Sequence, residues 1–272
     1  VQGRGCGTRG RAPAALPLFS IFAIALAATR PCNADGTRVD LRVLPTYFSG
    51  DYGTGIDTKI TYLPLILVVS SPRQEFRVTV PYLSIDTSQP VLYLNGEVIG
   101  PIPGGTTSQS GLGDIVAQEE VFFLQGTARR PWLSGIVRVK FPTADEKKGL
   151  GSGEYDYGAG LGIIQPAGRA WNILGTFQYV VRGDPPNVDF RNTPWLTIGA
   201  QWRQSAQSSW NLYYDRRRSV FAGNADLADL SAGYDRVLSH RVTFRSLVYA
   251  GLSTTSEDFG FGAGFSYVLG RR

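Results

Sequence analysis

Cysteine and histidine are nearly absent from this chain, and both scarcities exclude chemistry. Its two cysteines, Cys6 and Cys32, precede residue 35, so the remainder has no thiol for a disulfide or a thiolate metal site. The single histidine, His240, cannot build a zinc centre without such partners. A Ser–His hydrolase would have to use the adjacent Ser239 and His240, which point to opposite faces of any extended segment. A charge of one sign is lacking too. The formal +5 arises because Arg4, Arg9, Arg11 and Arg30 lie in the first 30 positions without an acid. From residue 35 onward 27 − 4 = 23 Lys+Arg face 22 Asp+Glu, which argues against nucleic acid as a partner. Gly149–Gly153 (GLGSG) lacks both the Gly-Lys-Ser/Thr and the following helix of a phosphate loop. No cofactor is expected.

The apolar run Leu16–Ala28 is shorter than the roughly 20 residues a membrane helix needs. It follows the basic Arg4–Arg11 and precedes Cys32-Asn33-Ala34, the layout of a secretory signal. The expected division is residues 1–34 as a cleaved signal peptide and 35–272 as the exported domain. No helical period survives after it.

What the chain has is alternation, with 33 glycines and 12% aromatic residues. Val137, Val139 and Phe141 alternate with Arg138 and Lys140; Tyr155, Tyr157, Ala159, Leu161 and Ile163 alternate with Asp156, Gly158, Gly160 and Gly162. A period of two marks strands, and the pattern recurs as twelve candidates. They run Thr37–Phe48, Asp57–Ser70, Gln74–Asp86, Gly113–Gln125, Trp132–Pro142, Glu154–Gln165, Ala170–Arg182, Pro194–Gln204, Ser209–Arg217, Asp226–Leu238, Val242–Thr254 and Asp258–Leu269. Most have the length of a tilted membrane strand. Short connections (71–73, 126–131, 166–169, 205–208, 239–241) alternate with generally longer ones (87–112, 143–153, 183–193, 218–225). Trp132, Trp171, Trp195, Trp210 and Tyr179 near strand ends suggest an aromatic girdle. The expected fold is all-β, a closed antiparallel transmembrane β-barrel of an outer membrane, rather than a secreted sandwich.

In that frame one face lines the lumen: Arg42, Lys59, Glu75, Arg77, Gln118, Glu120, Arg138, Lys140, Asp156, Gln178, Arg203, Asp215, Arg217, Asp235 and Arg245. Its basic excess predicts anion preference, with Arg77, Glu120, Arg138, Lys140, Arg203 and Arg245 on the solute path. Lys140 and Asp156 are expected to pair across their hairpin. Glu119 breaks the alternation by falling on the lipid side. The loop 87–112 could fold inward or cover the mouth, with Val91–Ile99 as an extra hairpin.

Three segments carry a resemblance: Thr79–Leu83, Ser110–Ile115 and Val139–Asp145 continuing through Lys148–Asp156. They resemble the outer-membrane transporter-like family named for the MetA pathway of phenol degradation. The motif positions are Gly111, Gly113, Asp114, Lys140, Pro142, Thr143, Gly149, Gly151 and Gly153. Ala144 departs from the family's usual glycine. The chain also runs past Leu269 to Gly270-Arg271-Arg272, where such barrels commonly end on an aromatic read by the insertion machinery. The resemblance implies passive passage of small solutes, hydrophobic or aromatic compounds among them, through a barrel held in outer-membrane lipid. A plugged, structural or adhesive barrel is the other reading, and a lipid hydrolase a more distant one. On residue chemistry, Gly111 and Gly113 are expected at positive φ, and Asp114 is expected to accept backbone N–H groups.

Overall fold

The computed structural model describes residues 36–94, 97–100, 107–186 and 188–271. The expected signal segment and both cysteines lie outside them. Sixteen strands follow in order: β1 (Arg38–Val43), β2 (Thr46–Gly50), β3 (Thr58–Ser70), β4 (Gln74–Thr87), β5 (Leu92–Leu94), β6 (Glu97–Ile99), β7 (Ser108–Leu112), β8 (Ile115–Leu124), β9 (Trp132–Phe141), β10 (Asp156–Ala167), β11 (Trp171–Val181), β12 (Thr193–Arg203), β13 (Ser208–Arg217), β14 (Leu227–Val237), β15 (Val242–Gly251) and β16 (Phe259–Arg271).

Fourteen of them form one antiparallel sheet, and β5–β6 is a separate hairpin. The sheet closes because β1 pairs with both β3 and β16, while β2 does the same further along. β1 and β2 are one stave interrupted at Leu44-Pro45, where proline cannot donate to a ladder. β7 and β8 are one stave interrupted at Gly113-Asp114. Fourteen less these two joins gives twelve staves, each paired with its neighbours in a closed ring. The expected first strand is thus broken at Pro45, and the fourth stave begins at Ser108 rather than Gly113.

Closure pairs every stave on both sides, and within the barrel sheet only the short β7 segment is paired on one side alone. Closure also reverses the usual dressing of a fold. Leu63, Leu65 and Leu67 on β3, Leu161 and Ile163 on β10, and Phe261 and Phe265 on β16 are exposed, while the alternate positions are buried or half-buried. The exposed apolar positions continue around the ring, far beyond the patch a water-soluble monomer shows.

All short turns lie at one end. In three of them serine closes the turn: Gln74 N donates to Ser71 Oγ (3.2 Å), Ser208 N to Ser205 Oγ (3.0 Å) and Val242 N to Ser239 Oγ (3.1 Å). These hydroxyls hold the backbone donors that a two-strand reversal leaves open. The long loops share the other end, and β5–β6 belongs to one of them.

Candidate functional site in the barrel interior

The interior is built from the inward half of the alternation. β10 and β16 contribute glycine columns, Gly158, Gly160 and Gly162 on one, Gly260, Gly262 and Gly264 on the other. Their bare backbones make room for neighbouring side chains. A Cβ on Gly160 would lie 2.6 Å from Gln178 Cγ, and one on Gly262 2.6 Å from Thr46 Oγ1. Arg138, Lys140, Trp195, Asp215 and Arg217 are each at most 2% exposed, so side chains fill the interior at their level. The Arg138 guanidinium lies 5.7 Å from the Trp195 ring centre, and Trp195 Nε1 donates to Asp215 Oδ1 at 3.4 Å.

Toward the short-turn end the interior is a polar ladder. Asn172 donates to Gln201 (3.2 Å), Gln201 to Asn211 (3.0 Å) and Asn211 to Asp235 (3.3 Å), and Asp235 pairs with Arg245 (3.5 Å). The chain crosses five neighbouring strands, β11 to β15. Arg77 pairs with Glu75 on its own strand, and the charges of Glu75, Arg245, Arg77 and Asp40 act on Arg42. Both signs are present because a buried charge is tolerable only with partners.

The motif residues converge on a second network near the long loops. Lys140 Nζ reaches Ser152 Oγ (2.7 Å), Asp114 Oδ2 (3.0 Å) and Asp156 Oδ2 (3.4 Å). Arg182 binds the same Asp156 oxygen at 2.7 Å, and Gly183 N donates to its other one. Asp114 accepts Ala144 N (3.0 Å), while Thr143 Oγ1 accepts Ile115 N (2.9 Å) and donates to Gly113 O (3.1 Å). The loop after Pro142 is thereby stitched to the β7–β8 break. Gly149 and Gly153 have φ of 66° and 71°. A Cβ on Gly151 would meet Ala144 Cβ at 2.6 Å. Gly111 and Gly113, expected at positive φ, are not in that region. Their requirement is space: a Cβ there would meet Leu150 at 2.9 Å and Leu83 and Pro81 at 3.0 Å.

The long-loop mouth is occupied by the β5–β6 hairpin. Val91, Tyr93 and Val98 are buried in one cluster with inward residues Phe48, Ile60, Tyr62, Ile85, Leu247 and Tyr249 and with Tyr52 and Ile56 of the loop before β3. Gln109 Nε2 donates to Val91 O (2.9 Å) and Tyr93 N to Gly149 O (3.2 Å). Across the mouth Glu97 accepts Ser219 Oγ (2.6 Å) and Val220 N (2.8 Å), from the loop after β13. Burial pushes the Tyr52 and Tyr93 hydroxyls up. In the loop before β16, burial and then the Asp229 charge push the Glu257 carboxyl up to about 8.

Of the expected lumen residues, Arg77, Glu120, Arg138, Lys140, Asp156, Asp215, Arg217, Arg245, Arg42, Glu75, Gln118, Gln178 and Asp235 are buried inside. Lys59 and Arg203 are not: Lys59 is exposed opposite Asp86, and Arg203 is exposed where β12 ends at a short turn. Trp132 and Trp195 leave the expected girdle, since they share inward parity with Ser134 and Thr197; Trp132 packs on buried Phe122. Trp171, Trp210 and Tyr179 do face out. Glu119 faces out, and the bulge after Phe122 comes too late to turn it inward. Ser239 Oγ accepts two backbone N–H groups in its turn, a structural task.

The interior also holds Asp40, Glu97, Arg182, Asp229 and Glu257. Parity could have found Asp40, Arg182 and Asp229, each an even number of residues from an inward neighbour. Among the described residues, the buried charges are seven cations (Arg42, Arg77, Arg138, Lys140, Arg182, Arg217, Arg245) against nine acids (Asp40, Glu75, Glu97, Glu120, Asp156, Asp215, Asp229, Asp235, Glu257). The expected basic excess is overturned.

No family model and no curated protein matches the chain. Among solved structures, it is similar to an outer membrane channel from Pseudomonas putida F1 at 11% identity and TM-score 0.67, covering 89% of this chain and 100% of that one. It is also similar to the NanC porin at 10% identity and TM-score 0.51, covering 84% of this chain and 100% of the porin. At such identities the likeness shows the fold alone.

Proposed function

We propose that the chain is an outer-membrane barrel that passes small solutes through its interior, and that the β5–β6 hairpin is the barrier at its mouth. The observation that carries this reading is the reversed dressing: exposed apolar side chains on eleven of the twelve staves around an interior of buried charges. Lipid is the medium that accepts such a surface, and a closed ladder is a backbone arrangement that lipid tolerates. The interior offers charged and amide groups together with Tyr62, Tyr249 and Trp195, a lining that suits small polar or aromatic solutes. The resemblance to the MetA-pathway transporter-like family and the likeness to an outer membrane channel support the same reading. Export through a signal peptide and delivery to the insertion machinery belong to it. Filling of the mouth favours, as a second reading, a barrel that conducts only after the hairpin moves.

Single-channel recording of the refolded chain from Asp35 in a planar bilayer tests this. Conductance steps, or steps that appear once Val91–Gly100 is replaced by a short Gly-Ser linker, support it. A folded barrel silent in both forms overturns it.

A further inference from the structure

The two ends of the barrel differ in charge. The five short connections, residues 71–73, 125–131, 168–170, 204–207 and 238–241, contain Arg73, Arg129, Arg130, Arg169 and Arg241 and no Asp or Glu. Arg203 and Arg236 stand at the adjoining strand ends, and all seven arginines are exposed. None of the seven is in an ion pair among the described residues. The long-loop end is mixed, with exposed Asp51, Asp57, Asp145, Glu146, Asp184 and Asp189 beside Lys147 and Lys148. An end serving only as a set of tight turns needs serine and glycine, not a one-signed ring of arginine.

An aromatic belt lies directly beside that ring. Trp171 is opposite Trp202, Trp202 opposite Trp210, and Trp210 opposite Tyr234, a registered row across four strands. The first pair stacks at 6.1 Å and the last lies at 4.7 Å. The three tryptophans face outward, 38–48% exposed. Arg169 is two residues from Trp171, Arg203 one from Trp202 and Arg236 two from Tyr234. At roughly 3.3 Å per residue these three arginines sit within about 7 Å of the belt, the depth of lipid headgroups. Arg241 Nη1 lies 3.5 Å from the outward Tyr267 hydroxyl, which holds that guanidinium on the lipid side of the wall.

We infer that the short-turn rim is a binding surface for anionic phospholipid, whose phosphates pair with the arginine ring while the aromatic row seats the acyl-chain boundary. A planar guanidinium matches phosphate by paired hydrogen bonds, and basic residues at a negative leaflet gain from its surface potential. The inference rests on the membrane-barrel reading and adds to it which leaflet lipid the protein selects.

The test is quenching of the belt tryptophans by lipids with brominated acyl chains. The chain is refolded in vesicles of phosphatidylcholine, with brominated phosphatidylglycerol or brominated phosphatidylcholine as the minor component. The expected result is a several-fold higher relative association constant for phosphatidylglycerol, falling with added salt. The combined variant R73Q/R129Q/R130Q/R169Q/R203Q/R236Q/R241Q, confined to exposed turns and strand ends, is expected to bring the ratio to one while its heat-modifiable migration stays that of a folded barrel. A folded wild-type barrel with equal constants, or a variant that keeps the preference, overturns this inference alone. A chain that enters neither vesicle overturns the membrane reading with it.

Discussion

At the residue scale, Glu119 stands out because it faces outward between Phe76 and Val137, both exposed apolar side chains. A lipid-facing carboxylate destabilises a barrel, less than a basic residue and less near the interface. Glu119→Leu is therefore expected to stabilise the barrel by on the order of 1 kcal/mol, read from urea titration of the protein refolded in bilayers. Lys140 makes the opposite case. It is 1% exposed and lies within salt-bridge distance of both Asp114 and Asp156. Asp156 retains Arg182 when Lys140 is removed, but Asp114 is left with a backbone N–H alone. Lys140→Met should cost about 3 kcal/mol, the range for a buried charge deprived of its partner. Asp114→Asn added to it should cost little more, so the double-mutant cycle should show coupling of at least about 1 kcal/mol. Additive losses would separate the two side chains energetically.

At the scale of elements, the twelve staves are legible because a strand with lipid on one side and charge on the other has a strict period of two. Val242 to Leu252 needs only its own letters to be placed. The contents of the mouth are not legible in that way. Glu97 meets Ser219 across 122 residues of chain, and no local pattern marks either residue. Trp195 shows a different failure: its place near a strand end suggested a girdle, whereas its parity with Thr197 puts it inside. The Glu97 contacts join β5–β6 to the far wall, where Ile99 also packs against the Phe190–Val220 cluster. A charge-assisted hydrogen bond contributes about 2 kcal/mol, so Glu97→Ala should shift the closed-to-open ratio of the hairpin about thirtyfold. Open probability in single-channel records is the measurement, and an unchanged value would show that apolar packing, of Val91, Tyr93 and Val98 on one side and Ile99 on the other, holds the hairpin. The loop before β16 adds a pH dependence. Glu257 faces Asp229, Arg217 and Asp215, and its carboxyl moves from 4.5 up to about 8. Between these values the folded mouth holds a proton that the unfolded chain releases. The stabilisation is complete below about 4.5 and is lost as pH rises through about 8. Protease resistance of the mouth loops should therefore fall on the alkaline side, and Glu257→Gln should flatten the profile.

For the whole molecule, the balance of charge decides selectivity. A pore favours the ion whose sign opposes its lining, and the strength of the preference follows the uncompensated excess rather than the number of charges. Here seven buried cations face nine buried acids. Most of the former are already engaged: Arg77 with Glu75, Lys140 and Arg182 with Asp156, Arg245 with Asp235. Protonation of Glu257 below about 8 removes one acid from the balance. Near neutral pH the interior is thus close to compensated, and the anion preference expected from a basic excess that included Lys59 and Arg203 has no structural basis. Reversal potentials across a tenfold KCl gradient should lie near zero, with at most a weak cation preference that grows as pH rises past about 8. Charge reversal at Asp215, which faces Arg217 and Asp229, should move the potential toward anions. Strong anion selectivity in the unmodified barrel would show instead that ions pass by a route other than this interior, or that hairpin displacement rearranges its charges.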